Sequence, residues 1–122
     1  MREPVFVDSP AMSGQIEITP SEAQQQIADG AVLVDVREQA EWDHSHIEGA
    51  VHIPLPELQE RAAEIPADRP VVFQCRVGGR SLMAAQAFRA SGRTATSMAG
   101  GLIAWEQQGL PITPDGAGVA AH

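Results

Sequence analysis

Short apolar runs alternate with segments of helical pattern along the central part of the chain. The run 31–36 is almost continuously apolar and rich in β-branched residues, which predicts a strand covered on both faces. Similar runs predict further strands at 51–53, 70–74 and 94–98. Helices are predicted between them, at 38–44, 56–65, 81–90 and 102–108. This alternation indicates an α/β fold with a right-handed, mostly parallel sheet between layers of helices.

An earlier helix is predicted from its start signal. Thr19 can act as the N-cap, Pro20 takes the first helical position, and Glu22 completes a capping box with Thr19. We expect this helix to end near Gly30.

The length of the chain sets its domain organisation. A chain of 122 residues is long enough for one core and too short for two ordinary domains. Residues 1–14 contain two prolines and show no clear period, which predicts an N-terminal arm. Residues 114–122 are mainly glycine and alanine, so we expect a flexible C-terminal tail. The predicted domain spans residues 15–113.

Charge and hydropathy restrict the partners and the compartment. The formal net charge is -8, whereas nucleic acid and anionic membranes need a positive surface, so neither is expected as the main partner. No apolar run reaches transmembrane length, and the N-terminus lacks the apolar stretch of a signal peptide. Cys75 is the single cysteine, which excludes an intramolecular disulfide. We therefore expect a cytoplasmic protein, where a free thiol stays reduced.

Cys75 lies between the apolar run 71–73 and a loop, rich in glycine and arginine, that leads into the predicted helix 81–90. The N–H groups of such a turn and helix start converge on one point, and the helix dipole adds a positive potential. Arg76 and Arg80 would contribute two further positive charges. A thiol at this point is expected to ionise easily and act as a nucleophile. The alternative is an inert cysteine buried at a strand end.

Asp35 ends the run 31–36 near the expected position of the thiol. A carboxylate at a strand end is costly to bury alone, so we expect it to pair with a guanidinium group in a structural role. Arg37 is a candidate partner, but Arg37 could instead pair with Glu41 on the next predicted helix. The sequence leaves both pairings open.

Three histidines suggest a metal site only weakly. His44 and His46 would share one face of an extended segment, and His52 follows nearby. No second cluster of Cys or His completes a four-ligand set, so we expect hydrogen-bonded turn histidines and no bound metal. Trp42 and Trp105 are expected to anchor the core.

Five motifs, in order along most of the predicted domain, resemble those of the rhodanese domain family. They are Asp35-Val36-Arg37, Glu41-Trp42, His46-Ile47-Glu48-Gly49-Ala50 with His52-Ile53-Pro54, the loop 75–81, and Gly100-Gly101-Leu102-Ile103-Ala104-Trp105 with Gly109-Leu110-Pro111. The resemblance implies a three-layer fold with a mostly parallel central sheet of about five strands flanked by helices.

The resemblance also implies a thiosulfate-type sulfurtransferase without a cofactor. Cys75 would take the sulfane sulfur of a donor such as thiosulfate, become a persulfide, and pass the sulfur to a thiophilic acceptor such as cyanide or a thiol. Asp35 and Arg37 would support the active-site loop. That loop comprises Arg76, Val77, Gly78, Gly79, Arg80 and Ser81. The alternative is a persulfide carrier or interaction module, which would receive its sulfur from a partner protein of a sulfur relay.

The loop length distinguishes this chemistry from that of phosphatases and arsenate reductases with a similar fold, which have five residues between cysteine and arginine. Here four residues separate Cys75 from Arg80, and a shorter loop suits one sulfur atom better than a tetrahedral phosphate. Two positions depart from the family pattern. Val77 stands where many loops carry a hydroxyl residue, which removes one hydrogen bond to bound sulfur, and Glu48 replaces a frequent proline.

Overall fold

One parallel sheet runs through the computed structural model, which describes residues 15–120. The strands are β1 (Glu17–Ile18), β2 (Val32–Asp35), β3 (Val51–His52), β4 (Val71–Gln74) and β5 (Ala95–Met98). They lie in the order β1-β5-β4-β2-β3, and every neighbouring pair is parallel. The predicted α/β fold is confirmed. Because all strands end at the same edge, the residues that follow them meet there, and Cys75 directly follows β4.

Helices flank this sheet. They are α1 (Pro20–Ala28), α2 (Gln39–His44), α3 (Leu58–Arg61), α4 (Gly79–Ala90) and α5 (Gly101–Gln107). The predicted start of α1 is confirmed, since the Glu22 N–H donates to Thr19 Oγ1 at 3.1 Å and the Thr19 N–H donates to Glu22 Oε1 at 2.8 Å. The helix ends at Ala28, close to the predicted end near Gly30.

The continuous helix predicted at 56–65 is wrong. The segment forms a 3-10 turn at Leu55–Glu57, the short helix α3, and a second 3-10 turn at Ala62–Glu64. Ile65 then takes an extended conformation, with φ -98° and ψ 121°. The residue before a proline is disfavoured in the helical region, and Pro66 follows Ile65.

The core has one layer on each face of the sheet. Val34 and Phe73 lie on the face that α4 covers, where Phe73 meets Phe88 edge-on at 4.8 Å between ring centroids. Trp105 lies in the opposite layer and is 3% exposed. The prediction that it anchors the core is confirmed. Trp42 instead is half-buried and belongs to neither layer.

The end of the described chain runs along α2. Thr113 and His46 exchange two backbone hydrogen bonds of 2.7 and 2.9 Å, and the Ser45 hydroxyl donates to the Gly118 carbonyl. Arg76 Nε donates to the Ala120 carbonyl at 3.1 Å. These contacts give residues 113–120 a defined path, while the division into arm, domain and tail stays a prediction, and the arm lies outside the described residues. No helix within 15–120 is long and apolar enough to cross a membrane.

Candidate active site

The Cys75 thiol is buried, with no exposed surface, in the turn between β4 and α4. Its Sγ accepts hydrogen bonds from the backbone N–H of Gly78 at 3.1 Å and of Ser81 at 3.4 Å. A third contact, of 3.5 Å, joins Sγ to the Ser81 hydroxyl. Three potential donors therefore surround one sulfur atom at the start of a twelve-residue helix, where the helix dipole is positive. This arrangement suits a thiolate or a persulfide anion.

The Ser81 hydroxyl lies in a buried network. It lies 3.2 Å from the Gly78 carbonyl oxygen and 2.7 Å from the Ser97 hydroxyl at the end of the neighbouring strand β5. When Cys75 holds its proton, the thiol donates to Ser81. When the thiol is ionised, the Ser81 hydroxyl can rotate and donate to the sulfur instead, because a hydroxyl both donates and accepts.

Gly78 and Gly101 allow the tight fold of the loop. Gly78 caps α4 with φ +109°, a left-handed conformation that glycine adopts without strain. A Cβ at Gly101 would lie 2.5 Å from the carbonyl oxygens of Cys75 and Arg76, so no side chain fits there. The first turn of α5 instead holds these carbonyls, through N–H donors of Leu102 at 2.8 Å and Ile103 at 3.1 Å.

The remaining loop positions differ in exposure. Gly79 begins α4 and is exposed, and a Cβ at this position would meet open space, so its lack of a side chain is not a steric need. Val77 is 58% exposed. An isopropyl group offers no hydrogen bond to sulfur, so the donors at this site come from the backbone and from Ser81.

Arg80 forms a two-pronged ion pair with Glu41 of α2. Arg80 Nη1 and Nη2 donate to the two Glu41 carboxylate oxygens at 2.7 and 3.0 Å. The pKa of the Arg80 guanidinium is raised above its ordinary value, first by this hydrogen bonding to Glu41 and also by the negative charges of Glu41, Cys75 and Glu38, while burial opposes the rise. The positive charge of Arg80 is therefore already balanced by the Glu41 carboxylate.

The comparisons with known proteins agree with this geometry. Residues 19–108 match the family described as Rhodanese-like domain. The chain belongs to the rhodanese-like domain family. A sulfurtransferase of Allochromatium vinosum is 38% identical over 104 residues, which cover 82% of this chain and 97% of that protein. The rhodanese-like chain is thus similar to a sulfurtransferase over almost the whole length of that protein.

Two further relatives are longer than this rhodanese-like chain. An HTH-type transcriptional regulator of Mycobacterium tuberculosis is 41% identical over 83 residues, which cover 66% of this chain and 36% of the regulator. The crystal structure of a thiosulfate sulfurtransferase from Pseudomonas aeruginosa matches with a TM-score of 0.73 and 25% identity, over 84% of this chain and 21% of that one. The rhodanese-like chain thus spans only about a third of the regulator and a fifth of the Pseudomonas chain.

Asp35 and Arg37 form a buried ion pair at the end of β2. Both side chains are 0% exposed, and Arg37 Nη2 lies 2.8 Å from Asp35 Oδ2. Arg37 Nη2 also donates to the Ser45 carbonyl at 2.8 Å. Of the two pairings that the sequence left open, the structure forms Asp35–Arg37, and Glu41 binds Arg80 instead. The prediction that Asp35 is paired with a guanidinium is confirmed.

The histidines make hydrogen bonds to backbone carbonyls. His44, His46 and His52 each place one ring nitrogen 2.8–2.9 Å from such an oxygen. Trp42 lies between two of these rings, 3.7 Å from the His46 centroid and 4.8 Å from the His52 centroid. Among residues 15–120 no three His, Cys, Asp or Glu side chains are grouped to hold a metal ion.

Ser97 and Gly101 are two residues of the rhodanese-like site to which the sequence analysis gave no role. Ser97 lies at the end of β5 and orients the Ser81 hydroxyl, while Gly101 admits the loop carbonyls. The paired glycines at 100–101 were a visible signal for close backbone approach. Ser97 carried no signal, because its role depends on the register of β5 beside β4.

Proposed function

We propose that the protein is a sulfurtransferase that moves the outer sulfur of a donor such as thiosulfate to a thiophilic acceptor, cyanide or a thiol, through a persulfide on Cys75. The observation that carries the proposal is the set of donors around Sγ: the N–H groups of Gly78 and Ser81 and the Ser81 hydroxyl. Such donors stabilise an anion by charge-assisted hydrogen bonds. They serve the thiolate before transfer and the persulfide after it.

The two half-reactions need no group outside the chain except donor and acceptor. The Cys75 thiolate attacks the outer sulfur of thiosulfate, a new S–S bond forms, and sulfite leaves with the electron pair of the broken S–S bond. In the second step, cyanide or a thiolate attacks the outer persulfide sulfur, and the Cys75 thiolate is the leaving group. Because Cys75 has no exposed surface, a donor can reach it only after the atoms that cover it move.

Roles follow for the loop and its support. Gly78 and Ser81 hold the anionic sulfur, and Arg76 supplies positive charge at the loop. The Asp35–Arg37 pair fixes the end of β2 beside β4. A reactive thiol is best kept in a reducing compartment, so we place the reaction in the cytoplasm. An acidic protein of this kind is not expected to use nucleic acid or membrane partners.

A second candidate function is that of a persulfide carrier, which receives its sulfur from a partner protein. Two large apolar side chains are exposed near the buried thiol in sequence, Val77 in the loop at 58% and Met83 on α4 at 60%. Exposed apolar side chains are a common feature of protein contact surfaces. A carrier would be loaded by its partner, and thiosulfate would load it without saturation.

Intact mass before and after incubation with thiosulfate tests the proposal. We expect a gain of one sulfur atom that cyanide or dithiothreitol removes, and no gain in Cys75→Ser, which keeps the size of the side chain and loses the thiolate. Ser91→Ala at the end of α4, where the hydroxyl donates to the Phe88 carbonyl at 2.8 Å, serves as a control that should still gain sulfur. Absence of any gain, with thiosulfate and with a small persulfide, would contradict the proposal. Saturation by thiosulfate separates the enzyme from the carrier.

A further inference from the structure

One of the two guanidinium charges at the Cys75 loop is balanced by a carboxylate. The Glu41 carboxylate is 4% exposed and binds Arg80, whose side chain is 24% exposed. Arg80 directly precedes Ser81, whose N–H donates to the sulfur at 3.4 Å. Of the two guanidinium groups at the loop, Arg80 is thus paired with a carboxylate, whereas Arg76 donates to the backbone carbonyl of Ala120.

Such balance matters more for one class of donor than for another. When a thiolate meets thiosulfate, a charge of -1 approaches a charge of -2, and both sides of the transfer step carry a total of -3. When a thiolate attacks the outer sulfur of a protonated persulfide, R–S–SH, the total is -1 throughout, and the thiolate R–S⁻ leaves. The first encounter therefore needs free positive charge at the loop, and the second does not.

Resting on the proposed function, we propose that Glu41 determines the donor preference of Cys75. By binding Arg80 through both guanidinium nitrogens, Glu41 withholds that positive charge from a dianionic donor, so that the site favours small organic persulfides over thiosulfate. Glu41 acts through Arg80, as a specificity-determining residue. The two hydrogen bonds between Arg80 and Glu41, of 2.7 and 3.0 Å, hold the two opposite charges in direct contact.

The test compares the two donors in Glu41→Gln. The rate of sulfur loading onto Cys75 is measured for thiosulfate and for 2-hydroxyethyl persulfide, with kcat and KM separated. A unit positive charge attracts a dianion in water by roughly a factor of ten in affinity at separations of a few ångströms, so releasing this charge should lower the KM for thiosulfate by up to about tenfold at low salt. The kcat/KM for the persulfide should change by less than about twofold, because its reacting form carries no charge. The gain for thiosulfate should shrink as salt is added.

Asp43→Asn is the matched control, because it removes one negative charge from the same helix. Asp43 is exposed and accepts a hydrogen bond from Gln39 at 2.8 Å. Its donor ratio should stay within about twofold of the wild-type ratio. An equal change in Asp43→Asn would overturn the inference in favour of a general charge effect. An equal change of both donors in Glu41→Gln would overturn it in favour of a purely structural role.

The double variant Glu41→Gln with Arg80→Gln keeps the inference testable if the single variant folds poorly. It removes both charges of the pair, so its donor ratio should return to within about twofold of wild type. A ratio that still favours thiosulfate would contradict action through Arg80. The proposed function fails separately, if neither donor loads sulfur onto Cys75 of the wild-type protein.

Discussion

Two ion pairs lie beside the Cys75 loop, and they differ in burial and in sequence distance. Asp35 and Arg37 are two residues apart and both are 0% exposed. Glu41 and Arg80 are 39 residues apart, and the arginine keeps 24% of its side-chain surface. The first pair is sealed within the fold, whereas water and ions reach the second.

Because they differ in burial, the two ion pairs have different roles. A sealed pair cannot separate without leaving an unpaired charge in the interior, so Asp35–Arg37 holds the strand end and, through the Ser45 carbonyl, the segment after α2. A pair with solvent access can exchange its partner for water at a moderate cost. Glu41–Arg80 can therefore tune the charge at the site without holding the fold alone.

Removing the charge of the sealed pair should have the largest effect. Asp35→Asn keeps the shape of the side chain but leaves Arg37 buried without a counter-charge. We expect the free energy of unfolding to fall by about 3–5 kcal/mol. Urea unfolding measures this difference, and Asp43→Asn on the exposed face of α2 provides a control with the same chemical change. A loss below about 1 kcal/mol would mean that the Asp35 charge is not needed by the fold.

The sequence could predict the elements that have a local pattern, and it could not predict those that lack one. The run 31–36 and the capping box at Thr19 are local patterns, and both produced the predicted elements. The sequence did not predict β1, because its two residues, Glu17 and Ile18, are too few to show the alternation of apolar and polar positions that marks a strand. Of the helix predicted at 56–65, only the extended conformation of Ile65 follows from a local signal, the proline after it.

The site shows the same limit. Cys75 and its loop were identified because strand, cysteine, glycines and helix are contiguous in sequence. The Glu41–Arg80 pair crosses from α2 to α4, and its choice over Glu41–Arg37 depends on how these helices pack. The sequence predicted that Arg76 and Arg80 lie near the thiol, and only the packing determined that Glu41 neutralises Arg80.

The pair with solvent access should contribute less to stability, and unequally from its two sides. Arg80→Met leaves the Glu41 carboxylate, at 4% exposure, without its charged partner, and we expect a loss of about 1–3 kcal/mol in urea unfolding. Glu41→Gln leaves Arg80, at 24% exposure, able to bind water, so its loss should be smaller. The reverse order would mean that exposure does not govern the cost of breaking this pair.

A third ion-pair site, around Arg61, is more exposed than the other two. At the end of α3, Arg61 binds Glu64 in the following turn at 2.9 Å and Glu57 in the preceding turn at 2.8 Å, and all three side chains are at least 34% exposed. We expect Arg61→Gln to lower the urea midpoint by less than either variant of the Glu41–Arg80 pair does, because solvent screens exposed pairs. The Arg61 hydrogen bond lowers the pKa of Glu64 below its ordinary value.

That lowered pKa fixes the sign of the pH dependence. A carboxyl group with a lowered pKa in the folded state stabilises the fold above its unfolded pKa, and this contribution is lost as the pH falls through the folded value. Any small advantage of the wild type over Arg61→Gln should therefore be present at pH 7 and disappear in acid. Urea midpoints at both pH values measure it. A difference that grows in acid would show that Arg61 stabilises the protein through something other than Glu64, and exposure would no longer rank the three pairs.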